Sequence, residues 1–113
     1  MAGKGAAGLR RRSEFLLVAE KGRRAAMPGV IVQALAVPER EGVRLGLTCS
    51  RKIGNAVARN RARRRLRAAA RAALASARGG WDLVLVGRQA TVDRPFPALC
   101  EDLAQALRRL GVT

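Results

Sequence analysis

Histidine and tyrosine are absent from these 113 residues, and the aromatic side chains reduce to Phe15, Trp81 and Phe96. Without histidine, a nuclease working by general acid–base catalysis would lack the usual group that titrates near neutrality. With so few rings, a core must be filled by Val, Leu, Ile and Ala, which a 49% apolar composition supplies. Cysteine is nearly as scarce. Cys49 and Cys100 are too few for a disulfide scaffold, and with no His or second Cys pair they make no zinc site. Cys49 continues the alternating face of Val43, Leu45 and Leu47, and Cys100 falls in the helical stripe Phe96, Leu103, Leu107, Leu110, so both are expected in the core.

Long apolar runs are missing too. None approaches the ~20 residues of a membrane-spanning helix. The stretch Phe15–Ala19 follows Glu14 and leads to no small-residue cleavage site, and Ala2 excludes the myristoylation pattern. A cytoplasmic protein with no membrane partner and no small-molecule substrate is expected.

Negative charge is the most telling shortage. Between Glu41 and Asp82 there is no carboxylate, against eleven basic residues. Residues 1–78 carry 19 basic and 4 acidic side chains, residues 79–113 carry 4 of each, and the chain's formal net charge is +15. Such one-sided charge calls for a polyanionic partner. Twenty of the 23 basic residues are Arg, which forks onto phosphate and stacks on bases. The eight acids are dispersed along the chain, and the adjacent Glu101 and Asp102 on a helix point about 100° apart. A two-metal nuclease needs convergent carboxylates, so no catalytic residue and no metal ligand is assigned. No glycine-rich phosphate loop ending in Lys and Ser/Thr occurs.

The length suits one domain, residues 10–113, behind a flexible tail over residues 1–9. Ser13 caps a first helix running to Lys21, with Glu14 at its positive end and Gly22 as its stop. A short strand covers 23–27. Residues 30–37 and 43–50 read as strands joined by the turn at 38–42 into an antiparallel hairpin. Asn55 caps a helix over 55–78, ended by Gly79-Gly80. Residues 82–88 form another strand, and Pro95 and Pro97 lead into a helix ending at Gly111. The order α-β-β-β-α-β-α is that of a single-domain α+β sandwich, a central, mainly antiparallel sheet with helices packed on it.

The long helix separates into two faces. Ala62, Leu66, Ala69, Ala70, Ala73 and Ala77 form a small apolar side, and Asn60, Arg64, Arg67, Arg71 and Arg78 lie opposite, flanked by Arg61 and Arg65. Like charges at i, i+4 repel. A merely solvated helix face intersperses Glu; this one does not, so an external anion is expected to relieve the repulsion.

The run Ser50-Arg51-Lys52-Ile53-Gly54-Asn55-Ala56-Val57-Ala58-Arg59-Asn60-Arg61-Ala62-Arg63-Arg64-Arg65-Leu66-Arg67 resembles the signature of the bacterial ribonuclease P protein subunit over about eighteen positions. The preceding Arg-Leu-Gly-Leu-Thr strand and the basic segment leading into Glu14-Phe15 agree with it. The resemblance implies a sheet with a left-handed β-α-β crossover, as in one domain of a small-subunit ribosomal protein. It also implies a subunit that assists a catalytic RNA in removing the 5′ leader of precursor tRNA. Arg59, Asn60 and Arg61, supported by Arg51, Lys52, Arg63, Arg64 and Arg67, would contact the catalytic RNA. Arg10, Arg11, Arg12 and Phe15 would bind the leader in a cleft between the first helix and the sheet, where a ring can stack on a base; a core role for Phe15 is the plain alternative. Mg²⁺ would be held mainly by RNA phosphates. Where the family often has further aromatics, this chain has Ala19 and Gln33, so leader binding should rest more on Arg and backbone groups. Two rivals are a small ribosomal protein, which would co-purify with a ribosomal subunit, and a DNA-bending protein, which would need an apolar wedge. A third, a membrane-active cationic helix, would need more than alanine on its apolar face.

Overall fold

The structure, a computed structural model, describes residues 7–113. Its elements in chain order are β1 (Ala7–Gly8), α1 (Arg12–Lys21), β2 (Arg23–Met27), β3 (Val30–Ala36), β4 (Gly42–Thr48), α2 (Ala56–Ala73), β5 (Gly80–Gly87), α3 (Gln89–Asp93) and α4 (Phe96–Leu110). Single 3₁₀ turns at Arg51–Ile53 and Leu74–Ser76 flank α2. The α+β class and the order of the main elements are those expected.

The pairing of the strands differs from expectation. The sheet order is β1-β4-β5-β3-β2, so β3 and β4 form no hairpin: β5 lies between them, antiparallel to β3 and parallel to β4. With β1–β4 also parallel and β2–β3 antiparallel, the sheet is evenly mixed rather than mainly antiparallel. The cause is in β5 itself. Its Leu83, Val84, Leu85 and Val86 are apolar on both faces, and a two-sided apolar strand loses least exposed area at the sheet's centre. Leu83 and Leu85 face α2 and α4; Val84 faces α1. A parallel β4–β5 pair then requires the long crossover that α2 provides.

One face of the sheet carries the main core, with Leu66 of α2 and Leu99, Leu103 and Leu107 of α4 essentially fully buried. Each such side chain contributes about 1.5–3 kcal/mol. α2 approaches closely because its inner positions are small: Ala62, Ala69 and Ala70 are buried. The helix ends at Ala73, so Arg78 stands beyond it and is not part of its basic face. Asn55 does cap α2, accepting from Ala58 N–H (2.9 Å). Both cysteines take core positions: Cys49 is buried, and Cys100 packs half-buried against the main core.

α1 covers only part of the other face. Its start is not capped by Ser13, which is exposed; Arg11 holds the cap position, and Glu14 reaches back to accept from the backbone N–H of Arg10 (2.8 Å) and Arg11 (2.9 Å). Gly22 ends α1 as expected, with extended backbone; glycine is needed because a Cβ would lie 2.6 Å from both Val18 O and Ala34 O. The expected tail over residues 1–9 lies, for residues 1–6, outside the described residues. Ala7–Gly8 instead pair with Arg44–Leu45, and Leu9 is buried against Val18 and Val84, because an apolar side chain there finds an uncovered corner of the sheet.

Candidate nucleic-acid interface

The arginines of α2 fall into two sets that spacing alone does not separate. Arg61 Nε donates to Val92 O (2.9 Å), and Arg65 Nε donates to Thr91 O (2.8 Å) while its Nη2 donates to Arg94 O. These carbonyls close the end of α3, where backbone acceptors lack helical partners. Arg65 also stands 5.7 Å from the Phe96 ring centre, within cation–π range. Arg59 donates to Gly54 O (2.9 Å) and Arg63 to Asn60 Oδ1 (3.0 Å). Among the described residues, Arg64, Arg67 and Arg71 make no hydrogen bond or ion pair, and all three are exposed. Arg51 and Lys52 sit exposed on the 3₁₀ turn just before α2, steadied by Ser50 Oγ, which accepts from Lys52 N–H (3.3 Å). Arg51, Lys52, Arg59, Asn60, Arg61, Arg63, Arg64 and Arg67 thus occupy one turn and the helix that follows it, with Arg61 committed to an internal contact as well.

Phe15 faces the sheet. It is half-buried beside Leu9, Val18 and Val84, with its ring over Gly46, so it combines a packing role with an accessible edge. A groove of about 400 Å³ joins this ring to Arg63 and Arg67 around the β1–β4 edge of the sheet. Residues assigned separately to a leader and to a catalytic RNA therefore share one concavity. Arg10, Arg11 and Arg12 are exposed around the start of α1, about one turn before Phe15.

A second, wider cleft of about 970 Å³ lies where α1 leaves the sheet bare. Register places Thr48, Val86, Ile31 and Ala26 in one row, of which Val86 and Ile31 line the cleft, and Gly46, Val84, Gln33 and Arg24 in the row nearer α1. Lys52 and Arg88 stand on its rim. Arg88 Nη1 donates to Met27 O (2.7 Å). Arg88 carries no signal in the sequence that marks it for the second cleft, and Arg71, read from spacing only as part of the basic face of the long helix, reaches the first groove through the crossing of α2 over β4.

The acids are less dispersed than their spacing suggests. Arg44 on β4 forks onto Asp82 of β5 (Nε–Oδ1 3.0 Å, Nη2–Oδ2 2.8 Å) and donates to Glu14 of α1 (2.8 Å). Arg40 also donates to Asp82, at 2.5 Å. Asp82, only 5% exposed, is kept below the usual carboxylate range by Arg44 first and Arg40 next, against the opposing effect of burial. Glu14 is lowered to about 2, chiefly by the N–H groups of Arg11 and Arg10 and then by Arg44. Arg44 is correspondingly raised by Asp82. This network pins the N-terminus of α1 to the sheet centre. Burial pushes the Cys49 thiol up despite nearby Arg63 and Arg67, which leaves it protonated and unreactive.

Among the described residues, no three of His, Cys, Asp or Glu come together, and Glu14 and Asp82 are both engaged by Arg44. Hard divalent cations need converging oxygen ligands, and this donor set does not fit one. No helix of the described residues is long and apolar enough to cross a membrane.

Comparison with known proteins agrees with the signature around α2. The sequence model of the family described as Ribonuclease P matches residues 4–111. The ribonuclease P protein component of Ruegeria pomeroyi is 52% identical, over 96% of this chain and 90% of that protein. That of Gluconacetobacter diazotrophicus is 48% identical, over 92% and 90%. Among solved structures, the RNase P protein of Staphylococcus aureus superposes with a TM-score of 0.81 at 26% identity, covering 95% of this chain and 97% of that one. The RNase P protein of Thermotoga maritima gives 0.74 at 27% identity, covering 90% and 93%. The chain belongs to the ribonuclease P protein family.

Proposed function

We propose that the chain is the RNA-binding, non-catalytic subunit of a ribonuclease P, serving in the cytoplasm to help a catalytic RNA remove the 5′ leader of precursor tRNA. The observation that carries this is the split among the α2 arginines. Arg61 and Arg65 lock the helix to α3, while Arg64, Arg67 and Arg71 point outward with no partner of their own among the described residues. A rigid, carboxylate-free array of guanidinium groups matches phosphates of a folded RNA, and counterion release makes such binding steeply salt-dependent.

In this reading Arg51, Lys52, Arg59, Asn60, Arg61, Arg63, Arg64 and Arg67 meet the catalytic RNA. Arg10, Arg11, Arg12 and Phe15 meet the leader, with the bare sheet face beside α1 as its bed. Gln33 and the uncharged floor around Ile31 and Val86 offer hydrogen-bonding and apolar contact in place of the rings that the family often carries. Phosphodiester hydrolysis belongs to the RNA, whose phosphates hold the Mg²⁺; the protein supplies affinity and position. Reconstitution tests this directly. Added to its cognate RNA at low Mg²⁺, the protein should raise the rate of 5′ leader release, and protein alone should cut nothing. Cleavage by protein alone, or no preference for that RNA, would refute the reading.

A further inference from the structure

The groove between Phe15 and α2 runs round an unfinished sheet edge. Among the described residues β1 pairs only with Arg44 and Leu45, and Leu9 N–H donates to Leu45 O (3.0 Å). Backbone groups of alternate strand residues point to the same side. Leu47, two residues on, therefore turns its N–H and C=O to that same edge, past the end of β1, and it lines the groove. On one side stands the Phe15 ring above Gly46. On the other, Arg63, Arg67 and Arg71 follow one another at i, i+4 and i+8 along α2. Arg63 is braced by Asn60; among the described residues Arg67 and Arg71 have no hydrogen-bond or ion-pair partner, and no carboxylate lines the groove.

An aromatic face, a backbone donor beside a backbone acceptor, and two forked cations are together what a nucleobase and its flanking phosphates require. At about 400 Å³ the space suits one small ligand rather than a duplex. We infer that this groove is a nucleotide subsite that holds one unpaired nucleotide of an RNA strand. The base stacks on Phe15 with its edge against the Leu47 backbone, and the phosphates are gripped by Arg67 and Arg71. The inference rests on the RNA-binding function proposed above and adds a path to it. The strand turns round the β1–β4 edge from α1 to α2, so the two RNA-facing regions are continuous and Arg71 is a contact residue.

The test uses the full chain titrated with a 5′-fluorescein uridylate pentamer and, separately, with uridine 5′-monophosphate. The comparison is between wild type and the double variant Arg67→Gln/Arg71→Gln, whose fold is checked by circular dichroism. The pentamer should shift the Phe15 ring and Leu47 amide resonances of wild type. The double variant should bind it on the order of 10-fold more weakly, with a log–log salt slope shallower by about 1.4 for two lost phosphate contacts to a single strand. The monophosphate should move the same resonances only at far higher concentration. Equal pentamer affinity and slope in the two proteins, with Leu47 silent, would overturn the subsite while leaving RNA binding by the wild type intact. A monophosphate as tight as the pentamer would make this a free-nucleotide site and overturn the strand path. If wild type binds no pentamer and gives its cognate RNA no help in leader release, the parent function itself falls.

Discussion

The Phe15 ring occupies the space where a side chain at position 46 would stand: a Cβ on Gly46 would lie 2.5 Å from Phe15 Cε2 and 2.6 Å from Cζ. Glycine in a strand interior usually weakens it, and here it is explained by the close approach of a ring. Gly46→Ala should therefore displace the ring, destabilising the fold by about 1–3 kcal/mol as overpacking does. It should also weaken single-stranded RNA binding, because stacking on a ring is worth about 1–3 kcal/mol per base. Phe15→Leu should keep most of the stability but lose the stacking. Urea midpoints and pentamer titrations read both effects. A Gly46→Ala protein as stable and as tight-binding as wild type would show that the ring does not sit there.

Among the described residues, Arg44 is the one cation shared by Glu14 and Asp82. Replacing it with Gln leaves the buried Asp82 with Arg40 alone and should cost about 3 kcal/mol, the usual loss when one partner of a buried pair is removed. The pH dependence has a defined sign. Both carboxyls titrate lower in the folded than in the unfolded chain. Between pH about 4.5 and 2 the unfolded state binds more protons, so stability is full above that window and falls as the solution is acidified through it. Arg44→Gln should flatten this fall, since the first cause of the Asp82 shift is gone. An identical slope in urea unfolding from pH 5 to pH 2.5 would mean that the network does not hold these carboxyls.

The two arginine sets should respond differently to truncation. Arg64→Ala touches no internal partner, so it should cost no stability and weaken RNA binding, reducing the salt slope by about 1. Arg65→Ala strips the donor from Thr91 O and Arg94 O and should cost about 1–2 kcal/mol of stability. Arg61→Ala, with one exposed bond to Val92 O, should do some of each. Equal destabilisation by Arg64→Ala and Arg65→Ala would erase the distinction.

How far these sets were legible in the sequence follows from the range of each signal. The Asn55 cap, the small inner face of α2 and the Gly111 stop rest on residues within a turn or two of one another, and the structure bears them out. The β3–β4 hairpin failed because adjacency along the chain favours local pairing. Against it stood the two-sided apolar character of β5, readable in Leu83–Val86 but decisive only once helices cover both faces. Arg65 looks like Arg64 in any window; what separates them is α3, a five-residue helix with little periodic signal, whose terminal carbonyls Arg65 meets across 26 and 29 residues. Phe15 and Arg67 line one groove at the edge where β1 stops short of Leu47, a juxtaposition that no local window of sequence contains.

The unrelieved charge itself gives the last expectation. A chain of net charge +15, with Arg64, Arg67 and Arg71 unpaired among the described residues, carries repulsion that the native state concentrates on one helix. Multivalent anions binding only the folded protein should stabilise it by mass action, about 2.7 kcal/mol at a concentration 100 times their dissociation constant. In a domain near this size that is on the order of 10 °C in melting temperature. Chloride at matched ionic strength screens charge without forking onto guanidinium groups and should give much less. The specific signature is its loss by substitution: Arg64→Gln/Arg67→Gln/Arg71→Gln should melt higher than wild type at low salt and respond little to sulfate. If sulfate lifted both proteins equally, the stabilisation would come from general surface exclusion rather than from the face of α2.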